Sequence, residues 1–250
     1  MKVLLVMGSD SIGDVLSATP IIRKLSKAYD CKIDLATIRP LVFKNNPYIN
    51  EIYNFKDIDI NSDEIINKYT KQHILESFTW NTIGGRTNQD VLLKHNMIDL
   101  RRYHAFCLGF DLTDEEMGCD FYPDEYKDLN LFSKFICIHP SKTWESRTWP
   151  QEKWQELIKK TTEIGYQIVI VGKDEFHKEV GEWNKKKTIF ELEENPNVLD
   201  LTNKANLSQT WHIINKAEKF ITMDTGLLHL AGCTNTHIVQ LGSSINYKFR

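Results

Sequence analysis

The sequence predicts an α/β protein made of two Rossmann-like halves, each built on a parallel sheet. Three observations carry this reading. Apolar runs such as Val3 to Met7 and Gln167 to Val171 lack polar alternation, as strands covered on both faces do. Amphipathic stretches at helical spacing separate these runs, so the chain reads β-α-β and repeats. Key runs also stop at a glycine and polar residues before a helical pattern resumes, the grammar of a strand entering a helix through a tight turn.

In the first half, Val3 to Met7 is the opening strand and Gly8 to Asp14 (G-S-D-S-I-G-D) the loop after it. A helix follows with Ile21, Ile22, Leu25, Ala28 and Tyr29 on one face, and Pro20 should kink it or mark a restart. Lys32 to Ala36 and Glu51 to Phe55 read as the next two strands. Asp57 to Asn81 has no clean period, and Gly84-Gly85-Arg86 reads as a turn or loop. A helix is expected over Met97 to Leu108 on Ile98, Leu100, Tyr103, Phe106 and Cys107, stopping at Gly109. The acidic stretch Asp111 to Asn130 reads as an interdomain linker, giving domains of 1–125 and 126–250.

The second half is plainer. Phe135 to His139 is a strand, and the loop P-S-K-T-W-E-S-R-T-W-P follows. After Pro150 a helix presents Trp154, Leu157, Ile158, Thr161 and Ile164 on one face and stops at Gly165. Gln167 to Val171 is a buried strand, Glu175 to Lys186 a polar helix and Val198 to Leu201 a short strand. Ser208 can cap a helix carrying Trp211, Ile214 and Ala217. Lys219 to Leu230 (K-F-I-T-M-D-T-G-L-L-H-L) is a strand, a turn and a helix, and His237 to Leu241 closes the sheet.

Composition limits the function. A chain of 250 residues suits one large or two modest domains. Its net charge of −3 argues against bulk electrostatic binding of nucleic acid or anionic membrane. Lys185-Lys186-Lys187 reads as a solvated face. Five scattered cysteines without a C-x-x-C pair fit reduced thiols better than disulfides or a zinc site. The short apolar N-terminus reads as a strand rather than a signal peptide, and no apolar run approaches the ~20 residues of a membrane span. A cytoplasmic location is expected.

Ligands of open α/β sheets bind off the carboxyl ends of the strands, and three such ends carry chemistry. The loop Gly8 to Asp14 has neither the Walker lysine nor the G-x-G-x-x-G spacing, but it offers the carboxylate of Asp14 at a helix start. That group is either a general base or an ordinary helix cap. The loop after His139 carries Ser141, Lys142 and Arg147, suited to a pyrophosphate or simply solvated, with Trp144 and Trp149 as packing residues. In the third, Asp224 or Thr225 caps a helix, Gly226 lets a ligand approach the backbone, and His229 shares that face. Asp57-Ile58-Asp59 has the spacing of a metal-dependent transferase motif but sits in a stretch biased to isoleucine and aspartate.

Three segments resemble glycosyltransferase family 9, the heptosyltransferases of the lipopolysaccharide inner core. They are S-I-G-D-V-L-S-A-T-P-I-I-R-K-L (Ser11 to Leu25), R-T-W-P (Arg147 to Pro150) and D-T-G-L-L-H-L-A-G (Asp224 to Gly232), in the family's order. The resemblance implies a GT-B fold of two facing domains, with the acceptor held by the N-terminal half and the donor by the C-terminal half. It implies a nucleotide-diphosphate sugar as donor substrate, ADP-heptose being the family's best-known case, and neither metal nor cofactor. Asp14 would be the base on the acceptor hydroxyl, within an acceptor-side loop of Ser11, Ile12 and Gly13. Ser141, Lys142, Arg147, Asp224, Thr225, Gly226 and His229 would hold the donor diphosphate. The expected partners are the nucleotide sugar and a glycan or glycolipid acceptor, met at the inner membrane face without a transmembrane segment. Compared with the family, the N-terminal half is short and the chain stops at Arg250 soon after Gly242-Ser243-Ser244, so a shortened C-terminal part is expected. The competing reading is a non-catalytic nucleotide-sugar binding protein. An oxidoreductase on the same fold lacks its glycine fingerprint.

Overall fold

The computed structural model describes residues 1–75, 99–126, 129–141, 147–173, 190 and 193–242. The chain divides into two compact units, with the change between Tyr122 and Pro123.

In the first unit β1 (Val3–Met7) lies between β2 (Ile33–Thr37) and β4 (Lys71–Leu75), with β3 (Ile49–Asn54) outside β2. All three pairings are parallel, and the order β3-β2-β1-β4 reverses direction at β1 and β4. Every residue of β1 and of β2 is buried, including Asp34 and Thr37 of β2, which explains why neither strand alternates apolar and polar side chains. Asp34 is accommodated because its carboxylate accepts hydrogen bonds from the Tyr69 hydroxyl, the Asn50 amide and the Glu51 backbone N–H.

Pro20 does mark a restart. Helix α1 (Ile12–Ser17) ends, and α2 (Thr19–Tyr29) begins with the proline in its first turn, where a missing N–H costs nothing. Ile21, Ile22 and Leu25 of α2 are buried as expected, whereas Ala28 is exposed. The aperiodic stretch after Asp57 contains helix α3 (Asp63–Lys68) and strand β4. Both escape a periodicity reading because α3 buries only Ile65 and β4 only Leu75.

Helix α4 (Leu100–Cys107) starts at Asp99, whose side chain accepts from the Arg101 N–H, and Gly109 with φ 78° ends it. Its buried face is Leu100, His104 and Ala105, while Phe106 and Cys107 point outward, contrary to the expected face. Asp111 to Tyr122 is not a free linker. Leu112 and Phe121 are buried, Arg23 pairs with Asp120, and Lys24 pairs with Glu116 at 2.7 Å. Gly84-Gly85-Arg86 lies outside the described residues.

The second unit has the order β7-β6-β5-β8-β9, every neighbour parallel. Its strands are β5 (Phe135–His139), β6 (Gln167–Ile170), β7 (Val198–Asp200), β8 (Lys219–Thr222) and β9 (His237–Gln240). Helix α5 (Gln151–Glu163) lays Trp154 and Ile158 against Ile136, Ile138, Ile168, Ile170 and Ile221. Burying a side chain the size of Trp154 contributes roughly 2–3 kcal/mol. Ile164, expected on that face, is exposed past the helix end, and Gly165 with φ 89° makes the stop. Helix α6 (Leu207–Lys216) is capped by Asn206 rather than Ser208: the Asn206 side chain accepts from the Gln209 N–H, and the Gln209 side chain accepts from the Asn206 N–H. The Ser208 hydroxyl instead accepts from the Asp124 N–H. The polar helix expected over 175–186 lies outside the described residues, as does Lys185-Lys186-Lys187. Helix α7 (Gly226–Ala231) follows β8.

Candidate functional site

The chemistry gathers where each sheet reverses its strand order, the position at which α/β sheets leave room for ligands. In the second unit that is the boundary of β5 and β8, whose final residues His139 and Thr222 stand side by side. Ser141 is buried in a tight turn, its N–H donating to the His139 carbonyl at 2.9 Å. Past β8 the buried carboxylate of Asp224 meets Arg147 with Nε to Oδ2 at 3.4 Å. Asp224 therefore faces a cation instead of capping α7. Thr225 takes the cap position with extended backbone, but its side chain makes no cap bond and lies 3.4 Å from the Thr222 hydroxyl. Gly226 opens α7, and His229, half-buried, sits near its end. Lys142 and Trp144 lie outside the described residues. Trp149 packs edge-on against Trp154 at 5.0 Å, the packing role expected of it.

Sequence reasoning passed over His139 as a side chain. It is buried, its Nδ1 lies 2.9 Å from the Val171 carbonyl, and burial pulls its pKa down to about 4. The neutral ring ties the end of β5 to the end of β6. Its position as the last residue of an apolar run was the available signal.

In the first unit the loop after β1 carries Asp14 in the first turn of α1, beside Ser11, Ile12 and Gly13. Ser11 caps the helix by accepting from the Asp14 N–H at 3.4 Å. The Asp14 side chain does more than complete that cap, because Oδ2 accepts from the Ser9 hydroxyl at 3.1 Å. Two neighbours went unnoticed in the sequence, Ser9 and Arg39. Arg39, just beyond β2, donates from Nε to the Asp10 carbonyl and so grips this loop from the adjacent strand. Asp57 and Asp59 are exposed, and Asp59 accepts from the Asn61 N–H as an ordinary turn residue. Among the described residues no group of three or more His, Cys, Asp or Glu side chains is placed to hold a metal ion, and no disulfide joins any two of the five cysteines.

The model of glycosyltransferase family 9 (heptosyltransferase) matches residues 98–245, more than half of the chain. The chain belongs to glycosyltransferase family 9. Among the family 9 relatives is lipopolysaccharide heptosyltransferase 3 of Escherichia coli, 22% identical over 95% of this chain and 82% of that protein. The solved structure of E. coli ADP-heptose lipopolysaccharide heptosyltransferase II superposes with a TM-score of 0.67 at 19% identity, covering 100% of this chain and 87% of the other. TibC from enterotoxigenic E. coli, described as an iron-containing dodecameric glycosyltransferase, gives a TM-score of 0.67 at 18% identity over 96% of this chain. The chain spans only 57% of TibC. These likenesses establish an α/β fold of the GT-B kind with parallel sheets. No described helix is long and apolar enough to cross a membrane.

Proposed function

We propose that this family 9 protein is an inverting, metal-independent glycosyltransferase that moves a heptose from ADP-heptose to a lipopolysaccharide or related surface-glycan acceptor in the cytoplasm. Support for the donor comes from the names of its relatives and from the structure of TibC bound to ADP-D-β-D-heptose. The observation that carries the reading is the Arg147–Asp224 pair at the β5 and β8 strand ends. A guanidinium fixed there by a buried carboxylate can meet a diphosphate without reorganising, which is where preorganised charge is worth most.

In this reading the second unit holds the donor through Ser141, Arg147, Asp224, Thr225, Gly226 and His229, with Lys142 on the same loop. The first unit takes the acceptor at Ser11 to Gly13. An acceptor hydroxyl attacks the anomeric carbon as Asp14 removes its proton, the bond from that carbon to the phosphate oxygen breaks, and ADP leaves with the electron pair. Attack opposite the leaving group inverts the anomeric centre. Arg147 and nearby backbone N–H groups stabilise the charge gathering on the diphosphate.

The test combines calorimetry with ADP and a transfer assay using ADP-heptose and a heptose-free lipopolysaccharide core. Asp14→Asn should lower transfer by about 10²- to 10⁴-fold, the usual size of a general-base contribution, with ADP affinity within a factor of two. Absence of ADP binding by the unaltered protein would overturn the proposal. ADP binding with no transfer would leave a nucleotide-sugar binding protein in its place.

A further inference from the structure

We propose that Ser9 is a positioning residue for Asp14, delivering a directed hydrogen bond that holds the carboxylate ready to take the acceptor proton. This rests on the assignment of Asp14 as the base.

The geometry is specific. Ser9 is buried, two residues beyond the last residue of β1. Its Oγ accepts the Ser11 N–H at 3.2 Å and stands 3.1 Å from Asp14 Oδ2. A serine hydroxyl has one proton and two lone pairs. With a lone pair occupied by the Ser11 N–H, the proton is left for the carboxylate, so the chain runs in one direction from the Ser11 amide through Ser9 to Asp14. Each link polarises the next.

In an ordinary capping box the acid of the first helical turn reaches back to the N–H of the cap residue, and both groups serve the helix. Here the cap residue is Ser11, and the Ser9 hydroxyl receives that N–H. Burial of Ser9 keeps water from replacing it. The loop itself is anchored from outside, because Arg39 donates to the Asp10 carbonyl and Arg39's own N–H donates to the Thr37 hydroxyl at 3.1 Å. Ser9 thus sits on a braced backbone, with Asp14 only partly buried beyond it. A side chain placed this way fixes the orientation of the carboxylate through Oδ2.

The experiment is a double-mutant cycle on transfer from ADP-heptose to the heptose-free core, using Ser9→Ala, Ser9→Thr, Asp14→Asn and the Ser9→Ala/Asp14→Asn pair. Ser9→Ala should lower kcat about tenfold or more, the worth of a hydrogen bond to a charged group, while the donor KM and ADP affinity stay within a factor of two. Ser9→Thr, which keeps the hydroxyl, should recover most of the rate. The double variant should be no slower than Asp14→Asn alone, because Ser9 acts only through Asp14. A merely structural serine would instead give losses that multiply, and that result would overturn the proposal, as would wild-type kcat in Ser9→Ala. If Ser9→Ala does not fold, judged by its thermal transition, Ser9→Cys takes its place in the same cycle with the same outcomes deciding. Wild-type transfer by Asp14→Asn would instead sink the base assignment itself; an inactive Asp14→Asn beside a fully active Ser9→Ala would sink the role of Ser9 alone.

Discussion

Arg147 keeps 17% of its side-chain surface exposed, and its partner Asp224 keeps 2%. Charge at that depth is held by company. Taking away the guanidinium leaves a buried carboxylate that has lost its cation, which costs more than the intact pair contributes. Arg147→Met should therefore destabilise the second unit by roughly 2–3 kcal/mol and weaken ADP binding at least tenfold. Arg147→Met/Asp224→Leu should recover part of the stability, since neither charge remains to be desolvated, and recover none of the ADP affinity. Urea denaturation paired with ADP calorimetry separates the two effects. If the double variant regained nucleotide affinity, the guanidinium would have no role toward the diphosphate.

Among the elements, α6 offers the clearest local test. Asn206→Ala removes its reciprocal cap with Gln209 and should cost about 1 kcal/mol, a fall of about 2–4 °C in the thermal midpoint for a chain of this size. An unchanged midpoint would show that Ser208 or solvent takes over the cap. This helix also illustrates what the sequence could reveal. Its apolar spacing was legible, but Asn206 and Ser208 are both good caps, and only the contact of Ser208 with the Asp124 N–H chooses between them. Strands β1, β5 and β6 were legible because they are covered on both faces and read as unbroken apolar runs. β4 was not, since K-Q-H-I-L buries only its last residue and is defined by pairing with β1, a contact from almost seventy residues away. Among the candidate residues, the sequence could offer Asp14 and Arg147 as chemical types at strand ends. It could not offer Ser9 or Arg39, whose roles depend on a hydroxyl direction and a contact across strands.

At the scale of the whole molecule, the two units share a plan: three strands stepping one way from a central strand, then a reversal, with candidate chemistry beside the reversal. Among the described residues each also buries one histidine, His104 in the first and His139 in the second, and burial draws both down to about 4 from the ordinary 6.5. Well above pH 6.5 neither the folded nor the unfolded chain protonates these rings, so they impose no pH dependence there. As the pH falls through 6.5, the unfolded chain binds protons that the folded units refuse, and stability drops until about pH 4. The full loss is of the order of 3 kcal/mol for each ring. Unfolding by urea at pH 7.5 and at 4.5, followed separately for each unit by amide hydrogen exchange, should show both units weakened at the lower pH. His104→Leu should flatten the acid-side loss in the first unit alone. Its Nδ1 has no hydrogen-bond partner among the described residues, so the leucine gives up one ring contact, toward the Ser17 backbone, and removes the proton-binding group altogether. A first unit that weakened just as steeply in His104→Leu would place the acid sensitivity elsewhere, and Asp99 is not that group, because the Arg101 guanidinium beside it holds its carboxyl below the usual range despite the opposing effect of burial. That carboxylate loses its stabilising charge only as the pH falls below about 4, beneath the window in which the histidine acts.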